Sequence, residues 1–181
     1  MIYWLNGAYG VGKSTVAEAL RPLLRNAHIF DPELVGNGVR DNYPEALFRE
    51  TFEEYPVWLE ANYRLLKDLY ERYEGDIIAP MTLLREGSYA AILQRLSDDG
   101  VPVRYVFLDA DEATLKHRMI DTGRELPDSW CVRHIPDCLA AQVRDTHAVH
   151  IGTVGRTPDE IAHEIAALPI PDAQEAAGEQ G

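Results

Sequence analysis

Short uniformly apolar runs alternate along the chain with stretches in which apolar positions recur every three or four residues, a pattern that predicts strands alternating with helices. Ile2 to Leu5 is such a run, a glycine-rich segment follows it, and Val16, Leu20, Leu23 and Leu24 then recur at helical spacing. Ala27 to Phe30 reads as a second buried strand ending at Asp31-Pro32, because proline biases the residue before it away from helix. Gly36, Gly38, Pro44 and Pro56 interrupt residues 33–60, which read as several short amphipathic pieces forming a substrate flap. Leu65, Leu66, Leu69, Tyr70 and Tyr73 form a helical stripe closed by Gly75, and a third strand, Ile77 to Ala79, runs into Pro80-Met81-Thr82. Tyr89, Ile92, Leu93 and Leu96 give another helix face, and Gly100 closes it. Val103 to Leu108 is a fourth strand, with Asp109-Ala110-Asp111 at its carboxyl end and a helix beyond it through Met119. Thr122 to Trp130 is a polar break, 131–144 reads as helix, Ala148 to Ile151 as a fifth strand, and Ile161, Ile165 and Leu168 mark the last helix.

Strands with no wet face, alternating with helices, imply an α/β fold with a five-stranded parallel sheet covered on both faces, and ligands at the carboxyl ends of its strands. At 181 residues the chain fits one domain. It spans residues 1–168, with a flap at about 33–60 and a lid at about 116–130. Residues 169–181 carry Asp172, Glu175 and Glu179 without Lys or Arg and read as a flexible acidic tail.

Seventeen Lys and Arg against thirty Asp and Glu give a net charge of −13, which argues against a nucleic acid partner held through a basic face. Any anion must be gripped locally. No apolar run approaches the ~20 residues of a transmembrane segment, and the N-terminus lacks the layout of a secretory signal, so a cytoplasmic protein is expected. A monomer or weak homo-oligomer is expected as well. Cys131 and Cys138, the two cysteines, have the spacing of neither a disulfide framework nor a CxxC metal site and read as reduced packing thiols. The six histidines show no metal-ligand pattern.

The candidate chemistry is concentrated near the N-terminus. Gly7-Ala8-Tyr9-Gly10-Val11-Gly12-Lys13-Ser14 satisfies G-x-x-x-x-G-K-[ST] directly after a strand and before a helix, the context this phosphate loop requires. Glycines let consecutive backbone N–H groups converge on phosphate oxygens, and the helix N-terminus adds its dipole. In that reading Lys13 contacts the β and γ phosphates of ATP, or GTP, the Ser14 hydroxyl ligates Mg²⁺, and Thr15 is a further donor.

Asp31, at the carboxyl end of the second strand, is placed to take a proton from an acceptor hydroxyl, although Asp-Pro is also a common helix opening. The third strand ends Ala79-Pro80-Met81-Thr82 without the carboxylate that often assists the metal in phosphate-loop proteins. Asp109 ends the next strand, where a water-mediated metal contact and an N-cap or loop role are both open. Arg118 and Arg124 suit a lid that brings cations onto a transferring phosphoryl group. Gly152 to Arg156 forms a loop after the last strand that could wrap a base, with Arg156 as its cation, or simply precede a helix cap. For the acceptor the flap region offers Arg40, Tyr43, Tyr55, Trp58 and Tyr63, and the end of the third strand offers Thr82 and Arg85; the aromatics serve equally well as packing.

The stretches WLNGAYGVGKST, FDPELVG, YPVWLEANYRLL, IIAPMTLL and SWCVRHIPDCL, in that order, resemble the tunicamycin resistance proteins from Met1 to about Leu168. The resemblance implies a nucleotide-kinase-like core, nucleotide binding through Gly7 to Thr15, and phosphotransferase activity. It further implies protection against tunicamycin, a uridine-containing antibiotic, as the small-molecule nucleoside-like acceptor. It puts Asp31 where antibiotic kinases with related cores have a base and the lid arginines at Arg118 and Arg124. A protein that sequesters the drug without modifying it is the alternative reading.

Overall fold

The computed structural model describes residues 1–170. Five parallel strands, β1 (Ile2–Gly7), β2 (His28–Ile29), β3 (Ile77–Pro80), β4 (Val103–Asp109) and β5 (Val149–Gly152), form one sheet in the order β2-β3-β1-β4-β5. The central β1 pairs with β3 from Ile2 opposite Ile77 and with β4 from Ile2 opposite Val103. All six of its residues are buried, as expected of an inner parallel strand.

Alternate residues of β1 feed two cores. Tyr3 and Leu5 face a layer containing helices α1 (Lys13–Leu20), α8 (Ile135–Arg144) and α9 (Pro158–Ala167), through Val16, Leu20, Cys138 and Ile161. Ile2 and Trp4 face the opposite layer, where α3 (Pro56–Arg72) contributes Trp58 and Leu66 and the helical stretch 86–98 contributes Ile92, Leu93 and Leu96. That stretch runs α4 (Glu86–Tyr89), a π-helical segment Ala90–Gln94, and α5 (Arg95–Asp98). Helix α2 (Pro32–Asn42) packs on α3, and the Trp58 indole donates to the Pro32 carbonyl at 2.9 Å.

Differences from the sequence reading are local. The second strand contracts to two residues. The helix after β4 is α6 (Glu112–Lys116) continued by a π-helical segment, His117–Asp121, and the helix over 131–144 is broken at His134 into α7 (Trp130–Arg133) and α8. Residues 33–60 hold α2, two short 3-10 turns and the first turn of α3. That last turn is core: Tyr55 and Trp58 are fully buried. The acidic tail lies, from residue 171 on, outside the described residues. Among the described residues no helix is long and apolar enough to cross a membrane.

Candidate functional site

The loop between β1 and α1 lies at the carboxyl edge of the central strand. Gly7, Gly10 and Gly12 have φ of 136°, 78° and 107°, values that side-chain-bearing residues rarely adopt. A Cβ on Gly7 would stand 2.7 Å from the Leu108 carbonyl oxygen, and one on Gly10 would stand 2.5 Å from Met119 Cγ. No side chain caps α1, so its first amides stay open toward the cavity that Gly10, Gly12, Lys13, Ser14 and Thr15 line.

Buried polar groups hold the loop. Asn6 is fully buried; its amide donates to the Leu83 carbonyl at 2.8 Å and to Tyr105 Oη at 2.7 Å, and its Oδ1 accepts from the N–H groups of Gly7 and Leu83, each at 2.7 Å. The Thr82 hydroxyl donates to the Gly7 carbonyl at 2.9 Å. Tyr105 in turn donates to Asp145 at 2.6 Å, and burial, reinforced by that carboxylate, holds its phenol protonated far above the ordinary range. Lys13 Nζ donates to the Gly7 and Ala8 carbonyls, each at 3.0 Å. Burial, only partly offset by nearby anionic groups such as Glu33, lowers its pKa to about 8.

The phosphate-loop cavity, about 500 Å³, is also lined by Asp31, Glu18, Glu33, Arg124 and Cys131. Asp31 is the N-cap of α2, and its Oδ1 accepts from the Glu33 N–H at 2.9 Å, so the capping role foreseen for Asp-Pro and a place in the cavity coexist. A second cavity, about 720 Å³, is lined by Arg40, Phe48, Arg49, Phe52, Thr82 and Trp130 among others. Tyr9, Glu33 and Cys131 line both cavities. Tyr9 packs edge-on against Trp130 with ring centroids 5.1 Å apart. Trp130 stacks on His134, and both reach Glu50, at 3.4 and 3.2 Å. Trp130 thus meets Glu50 across the second cavity.

Arg118 is tied into the protein by three hydrogen bonds. Its guanidinium donates to the Val11 carbonyl at 2.8 Å and to the Thr153 hydroxyl and carbonyl at 3.0 and 2.9 Å, tying the phosphate loop to the loop after β5. The π-helical segment that carries Arg118 also brings Met119 onto Gly10. Arg156 pairs with Glu164 and lines a separate cavity of about 360 Å³ with Asp109 and Val154. Asp109 faces that cavity and pairs with His150 at 3.0 Å. Burial works against the His150 imidazolium, but bonds to Asp109 and the Asp145 carbonyl outweigh it and raise its pKa.

Of the expected acceptor residues, Arg40 and Thr82 line the second cavity, whereas the others lie outside it. Trp58 is fully buried in the α3 core. Tyr63 is buried too, its hydroxyl donating to Asp99 and its ring lying under Arg95. Arg85 pairs with Glu54 at 2.8 Å, and its N–H donates to the buried Glu53. Tyr43 and Tyr55 pack edge-on against each other. Glu33, Phe52, Trp130 and Cys131 line the cavities although the sequence reading assigned them no site role.

Mg²⁺ can be tested against the donors present. Among the described residues no group of three or more His, Cys, Asp and Glu side chains forms a metal cage. The Ser14 hydroxyl and the Asp31 and Glu33 carboxylates share the phosphate-loop cavity, a sparse set of hard oxygens suited to an ion that keeps waters and takes phosphate oxygens as ligands. The residues fit the ion in that form.

A glycine loop leading into α1 beside the central strand of a β2-β3-β1-β4-β5 parallel sheet defines a phosphate-loop, kinase-like α/β protein. The AAA domain family (AAA_33) matches residues 2–128, and the chain belongs to it. No curated protein matches the chain in sequence. Among solved structures it is similar to the tunicamycin resistance protein of Deinococcus radiodurans, with 26% identity over 92% of this chain and 93% of that one and a TM-score of 0.76. It shares its fold with a gluconokinase from Sinorhizobium meliloti, at 19% identity over 91% and 89% of the two chains and a TM-score of 0.63. A shikimate kinase from Aquifex aeolicus shares it too, at 19% identity, 91% and 93% coverage and a TM-score of 0.53.

Proposed function

We propose that the protein is an ATP-dependent phosphotransferase acting on a hydroxyl of a nucleoside-like small molecule, and that it confers tunicamycin resistance by phosphorylating the antibiotic. The observation that carries this reading is the pair of cavities with a common wall, one at the phosphate loop and one beside the flap. The likeness to the Deinococcus radiodurans tunicamycin resistance protein supports the choice of acceptor.

In this reading the amides of Gly7 to Thr15 hold the terminal phosphates, and Lys13 recovers its full charge against them. Ser14 ligates Mg²⁺, whose chemistry is neutralisation of charge on the phosphate oxygens. Arg118 and Arg156 border the loop after β5, where they secure the nucleotide side, and Arg124 supplies a cation at the phosphate cavity. Thr82 and Arg40 orient the acceptor. The acceptor oxygen bonds to the γ-phosphorus as the bond from that phosphorus to the β–γ bridging oxygen breaks; ADP leaves, and the hydroxyl proton passes to the Asp31 carboxylate. Positioning and charge stabilisation supply most of the rate.

A second reading, nucleotide-dependent sequestration of the drug, draws on the absence of a carboxylate at the end of β3. Transfer of label from γ-labelled ATP decides between them. Label in the small molecule, lost in Lys13→Ala, supports the kinase; tight drug binding with no label transferred overturns it. Asp31→Asn and Glu33→Gln then locate the base: full turnover in Asp31→Asn with unchanged ATP binding rejects Asp31.

A further inference from the structure

The side-chain amide of Asn6 has four hydrogen-bonding positions, and all four are filled inside the protein. Two of them pair with the main chain of Leu83, whose N–H donates to Oδ1 at 2.7 Å and whose carbonyl accepts from Nδ2 at 2.8 Å. The other lone pair takes the Gly7 N–H at 2.7 Å, and the other amide hydrogen goes to Tyr105 Oη at 2.7 Å. Gly7 is held on its carbonyl as well, by the Thr82 hydroxyl at 2.9 Å and by Lys13 Nζ at 3.0 Å. A shift of Asn6 thus reaches the residue on which the Lys13 ammonium rests.

The direction of this chain of bonds is set at its far end, by Asp145, the residue after α8. Its Oδ2 lies 2.6 Å from Tyr105 Oη. A carboxylate only accepts, so Tyr105 donates to Asp145 and is left to accept from Asn6. Burial, and then the Asp145 carboxylate, hold the phenol protonated, so this donor persists. Asp145 is itself fixed: its Oδ1 accepts from the N–H groups of His147 and Ala148 at 2.9 and 3.0 Å. Neither Tyr105 nor Asp145 lines the phosphate-loop cavity or the one beside the flap. Both border a different cavity, also about 360 Å³, together with Leu83, Tyr89 and Arg144.

We infer that Tyr105 and Asp145 are positioning residues for the phosphate loop: through Asn6 the pair fixes the Gly7 amide, and with it the loop, in the form that receives a triphosphate. The inference rests on the nucleotide reading of the loop and adds to it a dependence on two side chains outside both cavities of the proposed site.

The test compares the full chain with Tyr105→Phe, Asp145→Asn and the double variant, each studied well below its denaturation midpoint. Tyr105→Phe removes the acceptor of the Asn6 amide hydrogen. In Asp145→Asn the oxygen stays with the His147 and Ala148 N–H groups, so the new amide hydrogens face Tyr105 Oη; that hydroxyl then meets two donors and loses the acceptor for its own proton. Each single variant should bind MgATP about tenfold more weakly by calorimetry, the scale of one well-placed hydrogen bond. Each should also shift the Gly7 amide resonance before any nucleotide is added. Because both substitutions act on one chain of bonds, the double variant should bind no more weakly than the weaker single one. A merely structural role lowers the denaturation midpoint and leaves the Gly7 resonance and the MgATP affinity of the folded variants where they were. Asp145 is only partly buried, so Asp145→Asn decides alone if Tyr105→Phe fails to fold. Unchanged MgATP affinity, an unmoved Gly7 resonance, or losses that multiply to about a hundredfold in the double variant overturn the inference. No MgATP binding by the unaltered chain overturns the phosphate-loop reading as well; full affinity in the folded variants overturns the inference alone.

Discussion

Lys13 makes the phosphate loop a proton-linked site. Its ammonium donates to the Gly7 and Ala8 carbonyls, and burial, only partly offset by nearby anionic groups such as Glu33, brings its pKa from 10.5 to about 8. A bound triphosphate supplies the missing negative charge and should return the group to its ordinary range, so binding takes up protons wherever the free amine is neutral. With those two values the uptake is about 0.1 proton at pH 7, about 0.5 at pH 8 and about 0.9 at pH 9. Affinity should therefore fall about tenfold, or about 1.4 kcal/mol, between pH 7 and pH 9. Calorimetry of MgATP binding in two buffers of different ionisation enthalpy measures the uptake directly, and Lys13→Arg, whose guanidinium stays charged, should abolish it. Affinity that stays flat from pH 7 to pH 9, with the same proton uptake in Lys13→Arg as in the unaltered protein, would refute the reasoning. In the free protein the sign for stability is the opposite of a salt-bridged lysine. The unfolded chain binds more protons between pH 8 and pH 10.5, so this group makes the free protein more stable as pH rises through that window.

Three further outcomes follow from the packing around the loop. Gly10→Ala places a Cβ on Met119 at a φ of 78° and should cost about 2 kcal/mol in chemical denaturation along with most nucleotide affinity, whereas Gly38→Ala, where a Cβ meets open space, should leave stability unchanged or slightly raised. Asn6→Ala strands the buried Gly7 and Leu83 N–H groups and should destabilise by about 3 kcal/mol, read as a shift in denaturation midpoint without a change in slope. Arg118→Gln cuts the tie from Val11 to Thr153 and should raise the KM for ATP more than it lowers kcat, since the guanidinium is spent on carbonyl and hydroxyl oxygens of the protein; a large fall in kcat at unchanged KM would instead place it on the transferring group.

The layer order and the glycine loop are legible because both are written in local signals. Ile2 to Leu5 and Val103 to Leu108 are apolar without alternation, as strands buried on both faces must be, and the phosphate loop declares itself by residue type and by its flanks. The acceptor side was legible only in part. The proline breaks run up to Pro56 and make Trp58 read as flap, yet that proline is the first residue of α3. The spacing Tyr55, Trp58, Asn62, Leu66 continues the helical stripe toward the N-terminus and marks Trp58 as core. Nothing in the sequence announces the π-helical segment that turns Arg118 onto Val11 and Thr153. Glu33, Phe52, Trp130 and Cys131 become cavity residues only when α2, residues 48–53 and α7 converge, a tertiary arrangement that no local spacing encodes.

In the proposed function the backbone amides from Gly7 to Thr15 hold the phosphates of a magnesium nucleotide. Titration of the ¹⁵N-labelled full chain with MgATP, followed through its amide resonances, addresses it residue by residue. Saturable shifts are expected, largest at Gly10, Gly12, Lys13 and Ser14, extending to Asp31 and Arg124, and vanishing in Lys13→Ala. Saturable shifts confined to other parts of the fold, or unmoved loop amides at millimolar MgATP, would contradict it.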